Sequence, residues 1–202
     1  ESKAMKKRYS AEYWGCYDTK GVEASAYPIL GESDVTVSQM VNLYKEYATV
    51  EYPQQLSEGG AEDIQQLAEI FCEEAEDEGI RPEVAWCQAM LETGYLKFGG
   101  DVKAEQYNFS GIGATDAGVQ GASFSNVREG VRAQIQHLKA YADKLATENN
   151  LHHDLVDPRF KYVSKGTAEF VEILGTQENP NGSGWATSKN YGYNILKLID
   201  KM

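Results

Sequence analysis

Residues 82–113 decide how this sequence is interpreted, and they read PEVAWCQAMLETGYLKFGGDVKAEQYNFSGIG. The stretch opens as a helix, because Pro82 suits a first helical position: its missing N–H is not needed there, and its φ is already helical. Gly94 can end the same helix in a left-handed conformation. One face of the helix is largely apolar up to its last residue, Glu92, so the helix is predicted to be buried.

The predicted position of Glu92 is unfavourable for an ionised carboxylate. The C-terminus of a helix carries partial negative charge and burial disfavours the anion, so both effects should raise the pKa of Glu92. A carboxylic acid that keeps its proton near neutral pH is what a glycosidase requires as a general acid. From its position alone, Glu92 could equally be an ordinary exposed residue at a frayed helix end.

Three motifs in this chain together resemble those of the glucosaminidase family of peptidoglycan hydrolases. Residues 89–94 (AMLETG) resemble the family's Ala-x-x-Glu-Ser/Thr-Gly helix end, which carries the acid. Residues 108–112 (NFSGI) resemble its Asn-x-x-Gly-Ile turn, which lines the cleft, and residues 185–191 (WATSKNY) resemble its aromatic-Ala-Thr-x-x-x-Tyr segment. The resemblance extends over residues 60–202. It implies a lysozyme-like domain with endo-β-N-acetylglucosaminidase activity on the GlcNAc-β-1,4-MurNAc bond.

The resemblance also implies a set of site residues. Glu92 is the expected general acid, and the phenol of Tyr191 is expected to face the cleft and bind the N-acetyl group or a water. Asp116 is the expected second carboxylate, since it is the only acid between Asn108 and Val127. The family's flap is usually longer and often supplies a Glu, so a remote Asp116 would leave the substrate's 2-acetamido oxygen as nucleophile. The expected substrate-binding residues are Gln88, Tyr95, Asn108, Phe109, Gly111, His137 and Trp185. His137 is included because it shares a helix side with Tyr141, and a hydrogen-bonded core histidine is the alternative for it.

Composition excludes several other functions. The 202 residues suffice for one domain with a sizeable core, and the net charge of −12 argues against nucleic acid as a partner. No apolar run is long enough for a transmembrane helix. No cofactor or metal is expected: His152, His153 and Asp154 are interpreted as a polar loop, because adjacent residues rarely converge on one ion. A Cys72–Cys87 disulfide remains open, since it depends on whether their helices touch.

The predicted fold is α+β and mostly α, a lysozyme-like helical domain with a short β-hairpin flap near residues 111–121. Helices are predicted over 36–47, 61–78, 82–93, 125–148 and 168–175, followed by a last helix capped by Thr187. The acidic outer face of the second helix, residues 73–78, is interpreted as solvated surface. Residues 1–59 are expected to form an N-terminal arm with one helix packed on the main domain, and residues 60–202 the catalytic domain.

The expected partner is the glycan strand of peptidoglycan, bound by a monomer that is bacterial and either secreted or associated with the cell wall. Any signal or anchor is expected to lie beyond this stretch of sequence. Two alternatives remain open. A lytic transglycosylase or muramidase would act at MurNAc and also use a single Glu at a helix end. A non-catalytic wall-binding module would keep the fold without the chemistry.

Overall fold

The structure of the protein, a computed structural model, describes residues 26–100, 102–114 and 121–202. Within them, the α-helices are α1 (Val37–Tyr47), α2 (Gln54–Glu58), α3 (Ile64–Glu78), α4 (Pro82–Thr93), α5 (Val127–Ala142) and α6 (Tyr191–Ile199). Short 3₁₀ turns lie at Ala104–Gln106, Glu148–Asn150, Phe160–Tyr162 and Val171–Ile173. No helix among these residues is long and apolar enough to cross a membrane.

The predicted helical character is confirmed, but the β-hairpin flap is not shown. Over the described ranges the chain forms no strand, and its β-pairing is limited to two isolated bridges, Pro28–Phe170 and Leu30–Ile80. Residues 115–120, which make up most of the predicted flap, lie outside the described residues. The two ends of this segment meet, because the backbone N–H of Ala122 donates to the carbonyl of Ile112 at 2.7 Å.

Helix α4 lies at the centre of the core, as its apolar sequence predicts. It is packed by α1, α3, α5 and α6, and its polar residues Glu83 and Gln88 are buried together with its apolar ones. Trp86 is fully buried at its middle, where its indole N–H donates to the carbonyl of Met40 on α1 and its ring meets the edge of Phe71 on α3. Because the sides of α4 are covered, only its C-terminal end reaches the surface.

Several predicted helix boundaries are confirmed by the caps that the structure shows. Thr36 and Gln39 form a reciprocal capping box at the start of α1. Gly79 and Gly94 adopt left-handed conformations at the ends of α3 and α4. The connection 48–60 contains a helix that was not predicted, α2, so the described part of the N-terminal arm carries two helices.

Other boundaries were predicted wrongly, because local side chains redirect the backbone. Helix α5 begins after Asn126 as expected but ends at Ala142, where Asp143 turns extended and its carboxylate accepts from the N–H of Leu145. The helix predicted over 168–175 is only the 3₁₀ turn Val171–Ile173. Thr187 does not cap the last helix, which begins at Tyr191 after a left-handed Asn190 whose N–H donates to Glu178.

The acidic face of α3 is not wholly a solvated surface. Glu74 and Glu78 are buried, and they link α3 to α5. Glu74 accepts from Arg128 and Arg132, while Glu78 lies 3.3 Å from the ammonium of Lys139. A buried carboxylate needs such partners, so these ion pairs fix how α5 packs on α3.

The structure also shows where the described part of the N-terminal arm packs and that Cys72 and Cys87 are not bonded to each other. Residues of α1 and α2, including Met40 and Leu56, belong to the same main hydrophobic core as residues of α3, α4, α5 and α6. Cys72 and Cys87 are both free thiols, so they do not form the disulfide that the sequence left open.

Candidate active site

The chain reverses sharply after Glu92, at the end of α4. The hydroxyl of Thr93 donates to the carbonyl of Ala89 at 2.7 Å and accepts from the N–H of Leu96 at 2.9 Å. Gly94, Tyr95 and Leu96 all have positive φ, which is rare for residues that carry a Cβ. Backbone strain of this kind is concentrated at functional sites. The Thr-Gly pair of the motif therefore stabilises the turn that presents Glu92.

Glu92 lies on the wall of a cleft of about 330 Å³. The loop that follows it and the turn that contains Asn108, Phe109 and Gly111 line the rest of this part of the cleft. Helix α4 is buried as predicted, but the Glu92 side chain itself is exposed to solvent from the cleft side. Among the described residues, Glu92 is the only acid that lines this part.

The pKa of Glu92 is raised above its ordinary value of 4.5, in the direction that the sequence predicted. The main cause is desolvation by the protein atoms that surround the carboxyl group, and a hydrogen bond from Tyr191 opposes it. A carboxyl group in a cleft wall can be reached by water from one side and still be crowded on the others. The exposure of the residue and the raised pKa of its carboxyl group are therefore compatible.

A directional chain of hydrogen bonds ends on Glu92. The Gln134 amide donates to the Gln88 amide oxygen at 2.8 Å, and the Gln88 amide donates to the Tyr191 hydroxyl at 2.9 Å. The Tyr191 hydroxyl then donates to Oε1 of Glu92 at 2.5 Å. Burial and the neighbouring charge of Glu92 raise the pKa of Tyr191 well above its ordinary value, so the phenol keeps the proton that it donates. This chain orients one oxygen of Glu92, while Oε2 receives no hydrogen bond from the described residues.

Asn108 builds the turn opposite Glu92 and is almost fully buried. Its amide N–H groups donate to the carbonyls of Ile112 and Ala122, and its oxygen accepts from the N–H of Ile112. The indole N–H of Trp185 donates to the carbonyl of Ser110 in the same turn. One asparagine thus closes the turn on itself, and Trp185 joins it to the far side of the cleft.

The cleft continues into a second part of about 230 Å³ that shares Gly111 and Ala114 with the first. Its wall is aromatic: the His137 and Trp185 rings meet edge to face at 4.4 Å, and Tyr141 packs against both. His137 Nδ1 lies 2.7 Å from Oδ2 of the buried Asp157, which fixes the plane of the imidazole.

The structure brings five of the seven predicted substrate-binding residues to the cleft and leaves two away from it. Gln88 is fully buried within the hydrogen-bond chain, and Tyr95 packs on Tyr47 with their ring centres 5.5 Å apart. Neither lines the cleft, because α4 and the left-handed turn after it point both side chains inward. Asn108, Phe109, Gly111, His137 and Trp185 do line it.

Tyr191 lies behind Glu92 and not on the cleft surface, and the predicted roles of Tyr191 and Asp116 stay predictions. Tyr191 is only 3% exposed, and its hydroxyl is hydrogen-bonded to Gln88 and Glu92, so the structure shows it holding an oxygen of Glu92. Its predicted contact with the substrate stays a prediction. Asp116 lies outside the described residues.

Sequence reasoning missed several residues of the cleft. Lys97 and Phe98 line the part next to Glu92, and Arg159 and Tyr162 line the second part. Residues 159–162 read RFKY, an alternation of basic and aromatic residues that could have suggested a binding surface. Nothing in their spacing from Glu92 indicates that they share its cleft.

The polar loop at His152 and His153 has an unexpected neighbour. Asp77 of α3 comes within 2.7 Å of His153 Nε2, and one potential ligand atom from each of the three residues lies within 4.8 Å of the others. The sequence interpretation did not include Asp77, which is 75 residues upstream of His152. None of the three lines the cleft, and the expectation that no metal is bound stays a prediction.

The architecture is similar to that of a solved peptidoglycan-related protein. It matches the crystal structure of Staphylococcus aureus autolysin E in complex with the muropeptide NAM-L-Ala-D-iGlu, with a TM-score of 0.53 and 17% identity. The match covers 98% of this chain and 87% of that one. At this level of identity the likeness concerns the fold, which is thus the lysozyme-like fold that the motifs implied.

The sequence itself assigns the family. The profile of the glucosaminidase family, described as mannosyl-glycoprotein endo-beta-N-acetylglucosaminidase, matches residues 68–202, and the chain belongs to this family of glycoside hydrolases. An uncharacterized protein of Borreliella burgdorferi is 41% identical over 136 residues, which are 67% of this chain. The chain spans 61% of the length of that relative.

Proposed function

We propose that this domain hydrolyses the GlcNAc-β-1,4-MurNAc bond of peptidoglycan, with Glu92 as general acid. The observation that carries the proposal is a carboxyl group with a raised pKa in the wall of a cleft, oriented through one oxygen by Tyr191. Membership of the glucosaminidase family and the fold shared with an autolysin support the same substrate. We further propose that the protein acts outside the cell or at the wall, as a monomer.

In the proposed reaction, Glu92 gives its proton to the glycosidic oxygen as the bond from that oxygen to C1 breaks. Because Tyr191 holds Oε1, the free Oε2 is the oxygen that would carry this proton. The carboxylate formed can then accept a proton from the water that attacks C1, which returns Glu92 to its starting state. The net change is the addition of one water across the glycosidic bond.

The second catalytic group has two candidates. Asp116 could act as the nucleophile or general base, or the 2-acetamido oxygen of the substrate could attack C1 itself. Among the described residues, the cleft offers no acid besides Glu92, so the choice between these two candidates depends on Asp116. That residue lies between the two described ends of the flap.

A lytic transglycosylase is the second candidate function, and the same observation supports it. Such enzymes also use a single acid, but the sugar's own 6-hydroxyl replaces water, so the product is an anhydro-sugar. Mass spectrometry of the released fragments separates the two, since a hydrolytic product is heavier by one water.

Substitution of Glu92 by Gln tests the proposal. We expect release of reducing ends from purified peptidoglycan to fall by about two orders of magnitude or more, the scale of losing a general acid. The Gln can still accept from Tyr191, so the fold should remain intact. Lys45→Gln on the exposed side of α1 is a surface control remote from the cleft and should keep full activity. Wild-type rates in Glu92→Gln would contradict the assignment.

A further inference from the structure

The second part of the cleft carries a positive charge that the proposed hydrolysis does not use. This part meets the Glu92 part at Gly111 and Ala114, so one extended ligand can occupy both. Arg159 and Tyr162 line it together with the aromatic wall formed by His137 and Trp185. Both Arg159 and Tyr162 are exposed, and Tyr162 is 63% exposed, which is unusual for a large aromatic side chain.

Arg159 differs from the other arginines of the described chain. Arg81, Arg128 and Arg132 each form an ion pair with a glutamate. No carboxylate lies within ion-pair distance of the Arg159 guanidinium among the described residues, although the protein carries 31 acidic residues against 19 basic ones. In a protein of this charge, an arginine that faces a cleft without a partner is available to an external anion.

The surroundings of Arg159 hold it in place without neutralising it. Its backbone N–H donates to Asp157, the buried carboxylate that also contacts His137. Its guanidinium carbon lies 4.7 Å from the centre of the Tyr162 ring, and the Lys161 ammonium lies 5.0 Å from the same ring. Cation–π contacts orient a guanidinium while leaving its N–H groups free. No acid among the described residues lines this part of the cleft.

We propose that Arg159, supported by Tyr162, forms a subsite for a carboxylate of the glycan strand, at the end of the cleft away from Glu92. The planar guanidinium matches a carboxylate with two parallel hydrogen bonds. This proposal rests on the proposed function, because it takes peptidoglycan as the ligand. Two carboxylates of that polymer can supply the anion: those of the peptide stem, or the lactyl carboxylate of MurNAc where the stem has been removed.

Binding to soluble tetrasaccharides tests the subsite without requiring turnover. Glu92→Gln protein is titrated with three probes by calorimetry: a tetrasaccharide with free stem carboxylates, its carbodiimide-amidated form, and a stem-free form that exposes the lactyl carboxylates. Arg159→Gln is then added to the same background, with Lys45→Gln as a charge-matched control remote from the cleft. Arg159→Lys keeps the positive charge but removes the planar guanidinium that can donate two parallel hydrogen bonds.

We expect Arg159→Gln to weaken binding of a carboxylate-bearing probe by about fivefold to tenfold, the scale of one charge-assisted contact near solvent. Amidated probe should bind the parent and the variant equally. A loss on the stem-bearing probe assigns the stem carboxylates, and a loss on the stem-free probe assigns the lactyl group. Arg159→Lys should recover only part of the loss, and Lys45→Gln should change nothing.

The subsite is overturned if Arg159→Gln binds all probes as the parent does, if it weakens the amidated probe equally, or if the parent binds none of them. The proposed hydrolysis fails on a different result, the absence of new reducing ends when the wild-type chain is incubated with peptidoglycan. The two failures can therefore be told apart.

Discussion

Replacing Tyr191 by Phe removes a single oxygen from the middle of the hydrogen-bond chain that ends on Glu92. The ring stays, so packing of α6 against α4 should be preserved. Gln88, which is fully buried, loses the acceptor of its amide N–H. Glu92 loses the donor to Oε1.

The expected magnitudes follow from these two losses. A buried amide left without its partner costs about 1–3 kcal/mol, so we expect the free energy of unfolding to fall by that amount. Because an acid that is no longer oriented reacts less often, kcat should fall by about 10- to 100-fold. The hydrogen bond from Tyr191 lowers the pKa of Glu92, so its removal should raise that pKa further and move the basic limb of the activity profile to higher pH.

Thermal unfolding and the pH dependence of kcat together check this prediction. Tyr52→Phe is the matched control, because the Tyr52 hydroxyl donates to the carbonyl of Ala61 and does not contact the cleft. It should cost stability without moving the pH profile. An unchanged kcat and pH profile in Tyr191→Phe would refute the role of Tyr191 in positioning the acid and leave packing as its only role.

Two further substitutions test the carboxyl groups. The folded protein binds the Glu92 proton more tightly than the unfolded chain does, so Glu92 contributes most to stability below its ordinary pKa of 4.5, and that contribution is lost as pH rises through the raised pKa. Glu92→Gln should therefore have a higher melting temperature than the wild type at neutral pH and an equal melting temperature below about pH 4. A lower melting temperature at neutral pH would contradict the upward direction of the pKa shift. Asp116→Asn should reduce peptidoglycan hydrolysis by less than about tenfold if the substrate supplies the nucleophile, and a loss as deep as that of Glu92→Gln would assign the second catalytic role to Asp116.

The local sequence was sufficient for features that depend on near neighbours. Pro82 and Gly94 bound α4 because first-turn geometry and the left-handed C-cap are properties of a few consecutive residues. The capping box of α1 and the family motif around Glu92 are local in the same sense. The apolar face of α4 also predicted that the helix is buried, since such a face packs against other elements.

Only the tertiary structure decided which residues share the cleft. Tyr191 lies 99 residues after Glu92 and Gln134 lies 46 after Gln88, so no pattern along the chain indicates that they form one hydrogen-bond chain. Arg159 likewise reaches the cleft through the packing of a 3₁₀ turn beside α5. Hydrogen bonds and cleft walls depend on atomic distances between remote segments, and sequence spacing carries no such distances. The family motifs could name Glu92 and Tyr191, but packing alone turned Tyr191 inward to hold the acid.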